Sequence, residues 1–355
     1  MSSRLARLRQ EMQDRGLEAF LVSSLPNIRY LSGFTGSHGL CVVTRAEAVL
    51  ITDSRYARQS RMEARRCRRI ITAFGLFETV RADGMLKMRR RVGFESHHVS
   101  YAQYRSLKRL FPRVSFSGQT DVVEEIALVK DPVEVESIRK AALISDRVFA
   151  EIVPLIRPGV MEAEIAAEIS YLLKSHGGER DAFEPIVASG ERAVLPHARP
   201  TEKRIRRGEM VILDYGTTCN GYCSDITRTV VVGRASRRAR EMYALVLDAH
   251  AAAIAAARAG ITARELDAVA RERLRLAGYG RYFVHSLGHG IGLSIHERPR
   301  ISPLSTERLQ VGSVVTFEPG LYVPGVGGVR IEDDVVLTGT GCRVLSGAPR
   351  ELMIL

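Results

Sequence analysis

Two aspartates, Asp214 and Asp225, interrupt the β-branched and aliphatic run MVILDYGTTCNGYCSDITRTVVVG at 210–233. Carboxylates among such neighbours are costly to bury unless they are paired or hold a cation. Asn220-Gly221, between the two apolar stretches, is a strong two-residue hairpin signal. A turn there pairs Thr218 with Cys223 and Gly216 with Asp225. Asp214 then shares a face with Asp225 as its diagonal neighbour, roughly 7–8 Å away, and both reach cations placed between them. Two aspartates capped by local backbone at strand ends fit the same pattern.

A second acidic pair follows, Glu318 in VVTFEPG and Glu332 in GVRIEDDVVL. Between the pairs, VHSLGHGIGLSIHERP at 284–299 holds three of the nine histidines: His285, His289 and His296. The glycines at 288, 290 and 292 oppose a helix, and the glutamate of the helical H-E-x-x-H zinc motif is missing. A glycine-rich strand or loop that lets backbone approach a site is expected instead. Asp214, Asp225, His289, Glu318 and Glu332 form one candidate ligand set. Four converging carboxylates without cations would repel one another and raise their pKa values. Two divalent cations remove that problem, and such pairs activate water and polarise a carbonyl. A mostly oxygen set with one imidazole suits Mn2+, with Co2+, Fe2+ or Zn2+ admissible.

The elements that must position these residues show a weak internal repeat. IRPGVMEAEIAAEISYLLKSHGG (156–178) matches ARAGITARELDAVARERLRLAGY (257–279) at an offset of 101. Each copy reads as a turn, an amphipathic helix and a glycine stop. Each follows a long helical stretch and precedes strands that hold two acidic residues. A domain of pseudo-twofold symmetry, with its acidic hairpins converging at the centre, follows from that arrangement. The preceding residues alternate helical and strand patterns in the α/β manner. A helix carrying Leu5, Leu8 and Met12 stops at Gly16, EAFLVS, GLCVVT and AVLIT read as strands, and Ser100 opens another helix. Residues 121–133 read as a connector, with Asp131-Pro132 opening the next helix. The expected domains are 1–125 and 126–355.

At 355 residues, 45% hydrophobic and 26% charged, the chain has ordinary soluble composition. Its charged N-terminus lacks the apolar core of a signal peptide, no run approaches bilayer-spanning length, and five cysteines lack framework spacing. A cytoplasmic protein without membrane association is expected. The net charge of +12 is concentrated early: residues 1–120 hold 22 Lys and Arg against 9 Asp and Glu, the rest 30 against 31. No nucleic-acid motif accompanies the arginine clusters at 65–69 and 87–91, so they read as solvated surface. A nucleic-acid partner is not expected.

ILDYGTTCNGYCSDITRT, GHGIGL, TFEPG and VRIEDD, in this order, resemble the pita-bread metallopeptidases, a family that includes Xaa-Pro aminopeptidases, prolidases and methionyl aminopeptidases. NIRYLSGFTGS and TDSRYARQ are similar to the family's N-terminal domain, so the resemblance covers nearly the whole chain. It implies an α/β N-terminal domain followed by an α+β pita-bread catalytic domain, and a homodimer. Asp214 would hold one metal ion, Asp225 would bridge two, His289 would complete one ion's shell, and Glu318 and Glu332 would be shared. Glu318 would also be the general base. His296 would bond the substrate carbonyl or its oxyanion, and His197, in LPHARPT, would lie near the leaving nitrogen. His285 would shape the proline pocket, with Tyr322 and Arg330 orienting the site. The two-domain length resembles the Xaa-Pro aminopeptidases and prolidases rather than the methionyl aminopeptidases, and by analogy an Xaa-Pro aminopeptidase, acting on peptides with proline at position two, is expected. A prolidase restricted to dipeptides is the alternative, for which Arg300 in HERPRIS would take the substrate carboxylate. The complete ligand set disfavours creatinase. A non-catalytic binding module using the basic N-terminal domain is the reading from a different class.

Overall fold

The computed structural model describes residues 4–355, which divide into two compact units meeting at Ala127/Leu128. In the first unit, helices α1 (Arg4–Asp14), α2 (Leu25–Ser32), α3 (Ala57–Glu63), α4 (Leu76–Ala82), α5 (Tyr101–Leu110) and α6 (Val122–Ala127) alternate with six strands. The strands are β1 (Ala19–Val22), β2 (Leu40–Thr44), β3 (Ala48–Asp53), β4 (Arg68–Thr72), β5 (Arg91–Glu95) and β6 (Ser115–Gln119), in the order β4-β3-β2-β1-β5-β6. Only β2 runs against its neighbours. Leu5, Leu8 and Met12 are the buried face of α1, and Ser100 opens α5 through a reciprocal capping box with Gln103. The stretch expected as a connector contains α6, because Val122, Val123 and Ile126 bury an apolar face there.

The second unit is the predicted repeat. Its first half runs α7 (Pro132–Ile152), α8 (Glu162–Ser175), β7 (Ile186–Ser189), β8 (Met210–Tyr215), β9 (Thr218–Cys219), β10 (Tyr222–Cys223) and β11 (Ile226–Val231). The second half runs α9 (Arg237–Ala256), α10 (Ala263–Leu276), β12 (Gly288–Gly290), β13 (Glu297–Ile301), β14 (Val314–Phe317), β15 (Gly320–Val323), β16 (Gly327–Arg330), β17 (Asp333–Leu337) and β18 (Cys342–Val344). A last strand, β19 (Met353–Ile354), returns to β11. The sheets are β19-β11-β8-β7 and β13-β12-β14-β17-β18.

Each half packs its helix pair on its own sheet. Val148 and Ile169 meet Val187, Leu213 and Val230 in one core, and Val246 and Leu266 meet Val315, Phe317 and Val335 in the other. Truncating one such aliphatic side chain to alanine costs about 2–5 kcal/mol. The repeat extends to backbone bonds: Gly159 N donates to Ile205 O and Gly260 N to Leu309 O, while Ala163 N donates to Thr201 O and Arg264 N to Ser305 O. In both halves a returning segment is therefore tied to the start of the second helix. Among the described residues, no helix is long and apolar enough to cross a membrane.

Candidate active site

Asn220 and Gly221 both adopt positive φ, 50° and 79°, as a two-residue hairpin turn of the mirror-image type requires. The ladder has the expected register: Cys223 pairs with Thr218, and Thr227 pairs with Asp214 across β8 and β11. At Gly216 an added Cβ would lie 1.9 Å from Ser224 O, so only glycine lets the strands close there. Asp225, just before β11, donates its N–H to Asp334 Oδ2 at 3.0 Å. Asp214 and Asp225 are both buried.

The second half brings its ligand candidates to this hairpin. Glu332 bonds across to it twice, through its own N–H to Thr227 O at 3.1 Å and by accepting from Thr227 Oγ1 at 2.6 Å. Glu318 follows β14, with its N–H on Leu287 O at 2.8 Å. His289 lies on β12, where Cβ atoms at Gly288 and Gly290 would meet Thr316 O at 1.9 Å and Arg298 O at 2.1 Å. The glycines thus permit the close backbone packing that sets the imidazole between the two acidic pairs. His289 Nδ1 lies 3.0 Å from Gly290 O and donates to it. Its Nε2 lone pair faces Asp225 Oδ2 at 3.7 Å and Glu318 Oε1 at 3.6 Å. Asp214, Asp225, His289, Glu318 and Glu332 all border one cavity of about 300 Å³, together with His197, His296 and Arg330.

The donor set fits divalent cations. Asp214 Oδ1, Asp225 Oδ1 and Glu332 Oε1 are buried without a hydrogen-bond partner, where buried polar atoms are ordinarily satisfied. One ligand atom each from Asp225, His289 and Glu332 lies within 4.8 Å of the others. Burial, reinforced by neighbouring carboxylates, holds Asp225 and Glu332 well above the usual carboxylate range, and burial lifts Glu318 to about 8. Burial also raises Asp214, against the opposing pull of Arg330. Like charges so confined cannot all ionise alone, and cations reverse the balance. Burial lowers His289 to about 4, keeping the imidazole neutral, and the Gly290 carbonyl fixes the tautomer that leaves Nε2 free for a metal.

The remaining predicted residues form an outer layer. Arg330, 2% exposed, bonds Asp214 through Nη2, Thr227 Oγ1 at 3.0 Å through Nε, and both Tyr322 OH at 2.8 Å and Pro196 O at 3.0 Å through Nη1. Tyr322 OH lies 2.9 Å from His285 Nε2, and His285 Nδ1 lies 2.8 Å from Ser286 O. The imidazole therefore donates from Nδ1 and accepts from the tyrosine. His285 and Tyr322 do not border the cavity and reach it through Arg330. His296 stacks edge-on against His289, ring centres 4.5 Å apart, and His197 faces it from the segment after β7. Arg300 is exposed on β13 directly opposite His289. Its Nε reaches Ser286 Oγ at 3.5 Å.

Sequence reasoning passed over Thr227, which joins Arg330 to Glu332, although the hairpin register alone puts it opposite Asp214. Arg228 and Asp333, a buried pair at 2.7 Å beside Glu332, and Asp334, behind Asp225, were also passed over. Each sits within three residues of a ligand candidate in sequence, and no spacing pattern separates it from other polar residues near strand ends.

Residues 136–339 match the model of metallopeptidase family M24, and residues 4–129 match that of the creatinase/prolidase N-terminal domain. A Xaa-Pro dipeptidase of Pyrococcus furiosus is 38% identical over 99% of this chain and 100% of its own length. Among solved structures, a Xaa-Pro dipeptidase from Bacillus anthracis is 38% identical with a TM-score of 0.97, covering 99% of each chain. An X-Pro aminopeptidase from Thermotoga maritima, also 38% identical, superposes with a TM-score of 0.92 over 99% of this chain and 100% of that one.

Proposed function

The chain belongs to metallopeptidase family M24, and we propose that it is a Xaa-Pro dipeptidase, releasing proline from dipeptides in which proline is the second residue. The observation that carries the restriction to dipeptides is Arg300. It lies opposite His289 in the β12–β13 ladder, and its charge adds to the burial that lowers His289 and opposes the burial that raises Glu318. A guanidinium with no carboxylate partner among the described residues, at the edge of the reaction centre, suits the free carboxylate of a C-terminal proline. The dipeptidase relatives support the same reading. The likeness to an X-Pro aminopeptidase supports a second reading, in which the bond before proline is cleaved in longer peptides.

Asp214, Asp225, His289, Glu318 and Glu332 would hold two divalent ions, Mn2+ foremost. When bound, such ions lower the pKa of water and polarise the scissile carbonyl. Glu318 takes the proton of the attacking water on a carboxylate oxygen and passes it to the proline nitrogen as the C–N bond breaks. His296, on the cavity rim, donates to the carbonyl oxygen as negative charge develops there. His197 lies on the leaving-nitrogen side. Arg330 holds Asp214, Tyr322 and the backbone before His197 in one frame, so the ligand and substrate sides stay in register. The direct test compares kcat/KM for Leu-Pro and Leu-Pro-Gly. A dipeptide preference above about tenfold supports the proposal, and equal or faster tripeptide cleavage favours the aminopeptidase reading.

A further inference from the structure

Two histidines of the candidate site, His197 on the cavity and His285 behind Tyr322, sit on irregular segments, outside helix and strand. His197 is exposed, and among the described residues nothing bonds to its ring. Its position is set by the backbone that carries it, and that backbone is closed on one buried carboxylate. Glu162, 0% exposed at the first turn of α8, accepts from Ser189 N at 2.8 Å and Ser189 Oγ at 2.9 Å through Oε1. Its Oε2 accepts from Arg192 Nε at 2.9 Å, Thr201 N at 3.3 Å and Thr201 Oγ1 at 3.0 Å. Arg192 then spans the segment, donating from Nη2 to Arg199 O at 2.6 Å. Both ends of 189–201 thus end on Glu162, and its arginine partner braces the middle.

The second half repeats the device with different residues. The repeat offset places Ala263 where Glu162 stands, but one turn further along α10 is Asp267, 1% exposed. Asp267 accepts from Arg271 Nε at 2.7 Å and from Leu287 N at 3.0 Å. Arg271 donates onward to Phe283 O at 3.0 Å and His285 O at 2.7 Å, with its guanidinium 4.3 Å above the Phe283 ring. The His285 carbonyl, the Phe283 carbonyl before it and the Leu287 N–H after it are held in this way. The two carboxylate–arginine clamps sit on equivalent helices at non-equivalent positions, so the structural role is kept where the residue is not.

We propose that Glu162 and Asp267 are positioning residues, each acting through its arginine to fix one histidine-bearing segment against the reaction centre. The proposal rests on the reading of function above, which places His197 beside substrate, while His285 acts on the site through Tyr322 and Arg330. A displacement of about 1 Å in such a group costs up to ~100-fold in rate, so loosening a clamp is visible in turnover.

The test is Glu162→Gln, alone and combined with His197→Ala, in the metal-loaded protein. The single variant should lower kcat for Leu-Pro by about tenfold or more with unchanged metal content, and amide exchange across 189–201 should accelerate. In the His197→Ala background the same substitution should cost less than about twofold, because residues that act as a unit are non-additive. A merely structural glutamate would cost the same factor in both backgrounds, and that result overturns the proposal, as does unchanged kcat with unchanged exchange. Thr201→Val removes one donor and keeps the carboxylate. If Glu162→Gln does not fold, Thr201→Val is read by the same criteria, with a smaller loss expected. Failure of the wild-type chain to release proline from Leu-Pro sinks the reading of function alone. Exchange in 189–201 then decides the clamp: faster in the variant upholds it, unchanged overturns it.

Discussion

Arg330 and Asp214 form a buried ion pair that joins the two halves of the catalytic unit, the arginine at the end of β16 and the aspartate on β8. The same guanidinium reaches Thr227, Tyr322 and the carbonyl of Pro196, so one cation positions a ligand candidate, its neighbour and the His197 segment. Arg330→Met strands the Asp214 charge. In chelator, that substitution should lower unfolding free energy by about 3–5 kcal/mol, and added divalent metal should restore part of it. A loss below about 1 kcal/mol in urea titrations would contradict the role given to the pair.

Asp225→Asn keeps the shape of the hairpin and removes the charge that Glu332, Asp214, Asp334 and Glu318 all oppose. Metal content and turnover should collapse together. Because a like charge has been removed, the metal-free variant should melt at or above the temperature of the metal-free wild type. Retention of two ions with ordinary turnover would show that the ligand assignment is wrong.

His285 supplies a pH signature. Burial, with Arg330 nearby, lowers it from 6.5 to about 3. Between those values the unfolded chain binds a proton that the folded chain does not. Stability therefore falls as pH drops below 6.5, by up to about 1.4 kcal/mol per unit. His285→Gln lacks this linkage, so its stability should decline more shallowly than the wild type's between pH 6 and about 4. Parallel declines would mean that His285 is protonated in the fold.

Arg300→Ala separates the two substrate readings. A charge-assisted bond contributes about 1.5–3 kcal/mol, so kcat/KM for Leu-Pro should fall by roughly 10–150-fold. Hydrolysis of Leu-Pro-Gly, whose carboxylate lies one residue further out, should change little. Equal losses on both peptides would remove Arg300 from carboxylate recognition.

The convergence of the candidate ligands on one cavity was legible because each carboxylate interrupts an apolar run, and burial makes such an interruption chemically expensive. Asn220-Gly221 set the hairpin register, and the glycines flanking His289 indicated close backbone approach. The clamps were not legible. Glu162 bonds residues 27 to 39 positions away, and Arg192 and Arg271 do not stand out in a chain with 52 Lys and Arg. The repeat did not help there, since the second copy moves its carboxylate by one turn. Substrate length was equally obscure: two-domain length fits aminopeptidases and prolidases alike, whereas the weight that Arg300 carries comes from its pairing opposite His289. A helix hid in the expected connector because Val122, Val123 and Ile126 are too few to show a period.

Metal reconstitution decides whether this chain holds a metal centre that releases proline from dipeptides. Chelator-stripped protein is titrated with Mn2+ while free proline from Leu-Pro is measured. The stripped protein should release none, and activity should rise to a plateau at two ions per chain. Asp225→Asn should stay inactive throughout. Proline release that is independent of metal, or a fully loaded chain that leaves Leu-Pro intact, would contradict the proposed function.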